Sequence, residues 1–310
     1  MPLKLAIFGQ APFGRDVTDR LASAGHEIVG VHVPPDAGSR IDPLAALATE
    51  REWPLFRYKG YRRKGAAIAE RVEEFLALGA DLNVLPFTTL ILPPEIVDAP
   101  RHRSVCFHPS LLPAYRGGNA LAWQIIEGET ESGISVFQPD EGVDTGPLYF
   151  QKGGAEISPT DNMASLYFDK LYPMGVEAMV DVVASIDSGT ARLKTQTEEG
   201  ASFQGLIDDA AARLDFSADA VSLDRRIRGC DPQPGAWAEL AGEPIRLHGS
   251  VCEAGSGTDQ APGTVLAVDE AGLRLAAKGG NLRIQKVRIG SSGAKCLAAE
   301  SGLKPGDRLV

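Results

Sequence analysis

Leu3-Lys4-Leu5-Ala6-Ile7-Phe8-Gly9-Gln10-Ala11-Pro12-Phe13-Gly14 begins as an apolar run and stops at a glycine turn. The run reads as a strand, the residues from the turn to Ala24 as a helix, and Glu27–Val33 as a second strand. Two strands joined through a helix make a βαβ unit, with parallel strands and a right-handed crossover. Gly9, Ala11 and Gly14 come close to a dinucleotide fingerprint, and Asp36 lies near the position of a ribose-binding acid. Pro12 argues against that ligand, because it removes a backbone donor where a pyrophosphate would approach. The turn reads instead as a tight strand-to-helix connection.

The same alternation continues downstream. Helical periodicity covers Pro43–Glu52, Ala66–Leu78 and Asn119–Glu127, and strands are expected at Leu55–Tyr58, Asp81–Pro86, Val105–His108 and Gly133–Phe137. Asp161–Ser185 reads as one long helix that turns Leu166, Phe168, Leu171 and Met179 toward the core, with a kink or break near Pro173. Composition shifts over Asp187–Gly205 to Gly, Thr, Gln and Glu with little apolar content, which reads as a linker. Beyond it lie a helix at Ala218–Arg228 and short β-rich runs between glycine turns: Ile245–Val251, Gly263–Val268, Leu273–Ala276 and Leu282–Ile289. That pattern favours a small β-barrel. The expected fold is therefore α/β: a Rossmann-like parallel sheet over residues 1–186, a linker at 187–205, and a C-terminal β-barrel domain over 206–310.

At 310 residues, two domains are the natural prior. Hydrophobic content of 44% with 23% charged residues describes an ordinary globular protein. A net charge of −10 disfavours nonspecific nucleic-acid binding. No apolar run approaches the ~20 residues of a membrane-spanning helix, and the first residues lack a signal-peptide plan. Cys106, Cys230, Cys252 and Cys296 are scattered without metal-ligand spacing, so reduced thiols, no metal and a cytoplasmic location are expected.

The strand ending at His108 stops at Pro109, which cannot donate to a ladder. Cys106 and His108, two residues apart, share a face, and strand ends in α/β sheets are where ligands gather. After the strand Gly133–Phe137 a loop reads Asp140-Glu141-Gly142-Val143-Asp144-Thr145-Gly146. An imidazole and a loop carboxylate at the ends of successive strands make a plausible acid–base pair, His108 with Asp144. Arg116 in Tyr115-Arg116-Gly117-Gly118 is read either as a substrate contact or as a partner of neighbouring carbonyls. His26, His32, His102 and His248 read as structural or exposed.

His108 ahead of Ser110-Leu111-Leu112-Pro113, followed by Asp144-Thr145-Gly146, resembles the folate-dependent formyltransferase family. Arg226-Ile227-Arg228-Gly229 and Pro234-Gly235-Ala236-Trp237 resemble its C-terminal domain, so the resemblance covers nearly the whole chain. It implies a 10-formyltetrahydrofolate substrate, with His108 stabilising the oxygen of the attacked formyl group and Asp144 orienting His108 and accepting a proton. It also implies that the loop Leu85–Pro93 wraps the pterin, with Leu90, Ile91 and Leu92 together with Ser110, Leu111, Leu112 and Pro113 as folate-binding residues. Most members of the family carry an asparagine two residues before the histidine, whereas this chain has Cys106. A thiol is a weak donor, or, in a third reading, a nucleophile beside His108.

The missing amide points to the hydrolase branch, the N-terminal domain of the 10-formyltetrahydrofolate dehydrogenases. Leu82-Asn83-Val84-Leu85-Pro86-Phe87 and Ala99-Pro100-Arg101-His102 resemble that branch as well. Methionyl-tRNA formyltransferases carry a basic insertion where this chain has the short, nearly neutral Asp36–Asp42. The expected activity is removal of the formyl group to water, or to a carrier protein or aldehyde dehydrogenase acting in trans. Transfer to methionyl-tRNA is the alternative, and a folate-binding regulatory protein the non-enzymatic one.

Overall fold

A computed structural model of the chain describes residues 2–36, 38, 40–255 and 258–310. Ala37 and Ser39, inside the short Asp36–Asp42 stretch, lie outside the described residues, as does Met1. Two compact units are present. One holds the residues up to Arg116 with Gly133–Gly153 and Leu171–Ser202; the other holds Gly117–Ser132, Gly154–Lys170 and Phe203–Val310.

Seven strands form the sheet that begins in the first unit: β1 (Lys4–Phe8), β2 (Glu27–Val33), β3 (Leu55–Arg57), β4 (Leu82–Leu85), β5 (Ser104–His108), β6 (Glu131–Phe137) and β7 (Leu148–Glu156). Their spatial order is β7-β6-β5-β4-β1-β2-β3. Pairing is parallel from β3 through β2, β1 and β4 to β5. It turns antiparallel at β6, where His108 faces Ser135 and Cys106 faces Phe137. The expected parallel sheet is thus a mixed one. Leu5, Ala6, Ile7 and Phe8 are all fully buried, as a strand covered on both faces requires. Strand order reverses between β1 and β4, so the carboxyl ends of β1, β4 and β5 border a crevice suited to ligands.

Three local expectations are corrected. Helix Ala66–Leu78 starts later, at Ala69, because Ala66–Ala67 pairs with Arg62–Arg63 in a hairpin. Lys64 and Gly65 at its tip have φ of 51° and 84°, the left-handed pair a two-residue hairpin turn demands. Strand β7 was not expected; Phe150, Gln151 and Lys152 are exposed and hide its pattern. The single helix Asp161–Ser185 is instead a short turn at Met163–Ser165, a π-helical turn at Leu166–Leu171, and a helix at Tyr172–Asp187 with Pro173 in its first turn. Pro173 has no N–H for the preceding turn, and the wider turn absorbs the lost bond. The altered phase leaves Leu166, Leu171 and Met179 buried but Phe168 54% exposed.

His32 at the end of β2 is buried between Phe8 and Phe56, with ring centroids 4.2 and 4.6 Å away and nearly parallel planes. Its Nδ1 lies 2.7 Å from the Tyr61 hydroxyl, and burial pulls the imidazole down to about 3. The folded chain refuses a proton that the unfolded chain accepts. The shift costs nothing at neutral pH, where neither state is protonated, and stability falls as pH drops below the ordinary histidine range toward about 3. Denaturant titrations should show a one-proton slope of about 1.4 kcal/mol per pH unit in wild type that His32→Phe lacks. Equal slopes in the two proteins would refute a neutral His32.

In the second unit, β8 (Ala236–Leu240), β9 (Glu243–Ala254), β10 (Val265–Asp269), β11 (Gly272–Ala277) and β12 (Gly280–Ile289) run in the order β8-β9-β12-β11-β10. Ile245, Leu247, Leu273, Leu275, Leu282, Ile284 and Val287 fill the interior. Residues 306–310 close the sheet. Val310 and Glu239 exchange backbone bonds of 2.9 and 2.7 Å on one edge, and Val265 donates to Asp307 (2.8 Å) and Leu309 to Gly263 (2.9 Å) on the other. The expected barrel is therefore present, with no free edge at this seam. Helix Ala220–Gly229, capped by Asp219 accepting from the Ser222 N–H at 2.7 Å, packs on the barrel and on helix Ala120–Glu127.

Candidate active site

His108 ends β5, 6% exposed, on a strand whose Val105 and Phe107 are buried. Its Nε2 lies 2.7 Å from the carbonyl oxygen of Tyr115. A carbonyl only accepts, so Nε2 carries a hydrogen. Nδ1 is then the nitrogen turned toward Asp144, 3.5 Å from Oδ2. The clamp comes from the loop after Pro109 doubling back. Tyr115 has φ of 61°, its N–H donates to Ser202 Oγ at 2.8 Å, and Ser110 Oγ donates to the Ala114 carbonyl at 2.7 Å.

Asp144 reaches His108 by a different route from the one its position in the sequence implies. Strand β6 runs opposite to β5, so the strand end alone does not bring the carboxylate to the imidazole; the loop must turn back. Gln138 donates to the Pro147 carbonyl at 2.9 Å, closing that loop. Inside it, Asp140 Oδ1 accepts from the Gly142 N–H (3.0 Å) and from Thr145 Oγ1 (2.6 Å). Asp144 has φ of 55°, a conformation that aspartate tolerates better than most side chains. A Cβ on Gly146 would fall 1.8 Å from the Gln138 carbonyl oxygen, so the loop closes only over glycine.

Cys106 lies on the same strand, packed against Leu112, Phe137 and Leu148, with Sγ 3.6 Å from the Phe107 carbonyl. Burial pushes its thiol far up, and the neighbouring Asp144 charge adds to the effect. A thiol held protonated at neutral pH is a poor nucleophile. Its chemical capacity here is that of a small neutral group beside the imidazole.

The residues expected to bind folate divide by exposure. Leu90 and Leu92 are buried in a cluster with Phe8, Tyr61, Phe75 and Ile96, while Ile91 is 75% exposed. Thr88 Oγ1 accepts from the Leu90 N–H at 3.0 Å, and the Leu92 carbonyl accepts from Arg62 at 3.1 Å. A cleft of about 440 Å³ opens beside Leu92, Pro93 and Pro94, bordered by Arg62 and by Asp140 and Glu141 of the carboxylate loop. Ser110 and Leu112 are buried and tied to Ser135 Oγ: the Ser110 carbonyl accepts from it at 2.7 Å, and the Leu112 N–H donates to it at 3.1 Å. Leu111 is exposed, and the Pro113 carbonyl accepts from the Ser202 N–H at 3.2 Å. Ile91 and Leu111 therefore present side chains to the surface, whereas Leu90, Leu92, Ser110 and Leu112 shape the loops from within.

Arg116, expected as a substrate contact or a partner of neighbouring carbonyls, is buried and donates to Gln196 Oε1 (3.0 and 3.2 Å) and to Glu198 (3.3 Å). These partners are side chains from the stretch read as a linker. Gln196 and Ser202, both in that stretch, hold the two loops that carry Asp144 and the His108 clamp. A polar run with no periodicity hides such contacts. Among the described residues no group of three or more His, Cys, Asp or Glu is arranged to hold a metal ion.

Comparison with known proteins adds a second line. The family profile described as formyl transferase matches residues 3–183, and that of the formyl transferase C-terminal domain matches residues 206–301. Mitochondrial 10-formyltetrahydrofolate dehydrogenase of Mus musculus is 42% identical over 248 residues, covering 80% of this chain. The match spans only 27% of that protein's own length. Methionyl-tRNA formyltransferase of Ruegeria pomeroyi is 35% identical over 268 residues, 85% of this chain and 86% of its own. Among solved structures, HypX from Aquifex aeolicus in complex with tetrahydrofolic acid superposes with a TM-score of 0.71 at 19% identity, over 98% of this chain and 49% of that one. At that identity the likeness is one of fold.

Proposed function

This chain belongs to the formyl transferase family, and from that premise we propose that it removes the formyl group from 10-formyltetrahydrofolate with water as acceptor. The observation that carries the reading is His108, clamped at Nε2 and facing Asp144 through Nδ1, beside a neutral thiol in place of the family's amide. In the proposed step, water adds to the formyl carbon as its proton passes to the Asp144 carboxylate. Negative charge gathers on the formyl oxygen, where His108 stabilises it through a proton on Nδ1, the ring nitrogen that Tyr115 does not engage. The C–N10 bond then breaks as Asp144 passes that proton to N10, and tetrahydrofolate leaves with formic acid, which loses its remaining acidic proton to solvent as formate. Residues 1–186 would carry this chemistry and residues 206–310 would accompany it.

The folate substrate is extended to this chain from the named substrate of its dehydrogenase relatives, and their further activity is not. A carrier protein or aldehyde dehydrogenase in trans would be the acceptor if water is not. Transfer to methionyl-tRNA is the second reading, favoured by the match over 86% of a tRNA formyltransferase's length and disfavoured by Cys106. Tetrahydrofolate release from 10-formyltetrahydrofolate, with and without charged methionyl-tRNA, separates the two. Release at the same rate in both conditions is the expected result. Release only in the presence of the tRNA would give the assignment to the second reading.

A further inference from the structure

Of residues 192–200, Gln196 alone is half-buried, and the others are exposed. Its amide nitrogen donates to two carbonyls of the carboxylate loop, Asp144 at 2.8 Å and Gly146 at 2.7 Å. Its amide oxygen accepts from the buried guanidinium of Arg116 at 3.0 and 3.2 Å. Arg116 follows Tyr115, whose carbonyl holds His108 Nε2. One side chain thus ties the backbone that presents the carboxylate to the backbone that presents the imidazole. Asp144 itself sits on that backbone at φ of 55°. Two further ties hold the segment in place. Lys194 and Leu148 exchange backbone bonds of 2.8 and 2.9 Å, and Arg116 donates to the Ser202 carbonyl at 2.9 Å.

We propose that Gln196 is a positioning residue for the formyl-removal step, setting the Asp144 carboxylate against His108 through the carbonyls of residues 144 and 146. The proposal rests on the reading of His108 and Asp144 as the reacting pair. Gln196 need not touch the folate to do this. An ångström of misplacement in a catalytic group can cost on the order of 10² in rate, whereas binding of the donor is left to other loops.

The test is a double-mutant cycle in the full chain, measuring tetrahydrofolate release. Gln196→Ala is expected to lower kcat about ten- to hundredfold, with KM for 10-formyltetrahydrofolate changed less than about twofold. Gln196→Glu, close in shape, keeps the acceptor for Arg116 but removes the donors to the two carbonyls. It should lose as much, and it keeps the test decisive if the alanine variant folds poorly. In an Asp144→Ala background either change should cost less than about twofold more, since the group being positioned is gone. An undiminished cost in that background, a loss confined to KM, or unchanged kcat in the single variants would overturn the proposal. Full activity of Asp144→Ala alone would instead sink the His108–Asp144 reading, and the two failures are thereby distinguishable.

Discussion

His108→Ala should lose about 10²–10³ in kcat for release of tetrahydrofolate, the scale of a lost oxyanion donor. The substitution also leaves the Tyr115 carbonyl without its donor in a buried setting, worth about 1–3 kcal/mol of stability. Part of any loss could then be misread as chemistry. His108→Gln separates the two effects, because a glutamine amide can reach the position of Nε2 and keep the bond to Tyr115 while offering nothing at Nδ1. It should restore most of the melting temperature and none of the rate. A rate within tenfold of wild type in either variant would remove His108 from the reaction.

Gly146→Ala should be nearly as damaging, although residue 146 touches no substrate in the proposed step. The new Cβ would meet the Gln138 carbonyl oxygen at 1.8 Å and the Asp140 nitrogen at 3.3 Å. Both are backbone, and the bond between Gln138 and Pro147 holds them there. The loop must open, and Asp144 moves with it. We expect a fall in kcat of about 10²-fold or more, with the barrel and the rest of the sheet unaffected. Gly142 in the same loop is the control. Its Cβ would meet the Thr145 side chain, 2.0 Å from Oγ1, and a side chain can rotate away. Gly142→Ala should therefore retain activity within about tenfold, since only one loop hydrogen bond is displaced. Equal effects at the two glycines would mean that loop closure is not what limits the rate.

Local apolar pattern made most of the architecture readable. Strand β2 and helix Ala220–Gly229 lie where pattern puts them, the strand as an apolar run buried on both faces and the helix through Ala220, Leu223 and Ile227 on its buried face. Strand β7 was invisible because its exposed middle carries no alternation. The π-helical turn was unreadable for another reason: Pro173 announces a break, but nothing local says how the broken bond is absorbed. In the site, His108 and Asp144 stood out as residue types in a motif. What holds them did not, since it consists of a backbone carbonyl seven residues on (Tyr115) and of an amide (Gln196) and a hydroxyl (Ser202) recruited from distant sequence. Backbone atoms carry no residue-type signature. A polar segment that fastens two loops reads the same as one that fastens nothing.

The chain passes from one compact unit to the other after Arg116, Ser132, Gly153, Lys170 and Ser202. Any gene truncated between residues 186 and 206 would strand helix Ala120–Glu127 away from helix Ala220–Gly229, where Gly229 leaves room for Ile126 and the Ala122 carbonyl. A fragment spanning 206–310 would keep its barrel strands and lose part of the surface that covers them. Such a chain is two units in space and one unit to recombination. Exchange of segments between relatives is tolerable only when both units travel together, as a single cassette.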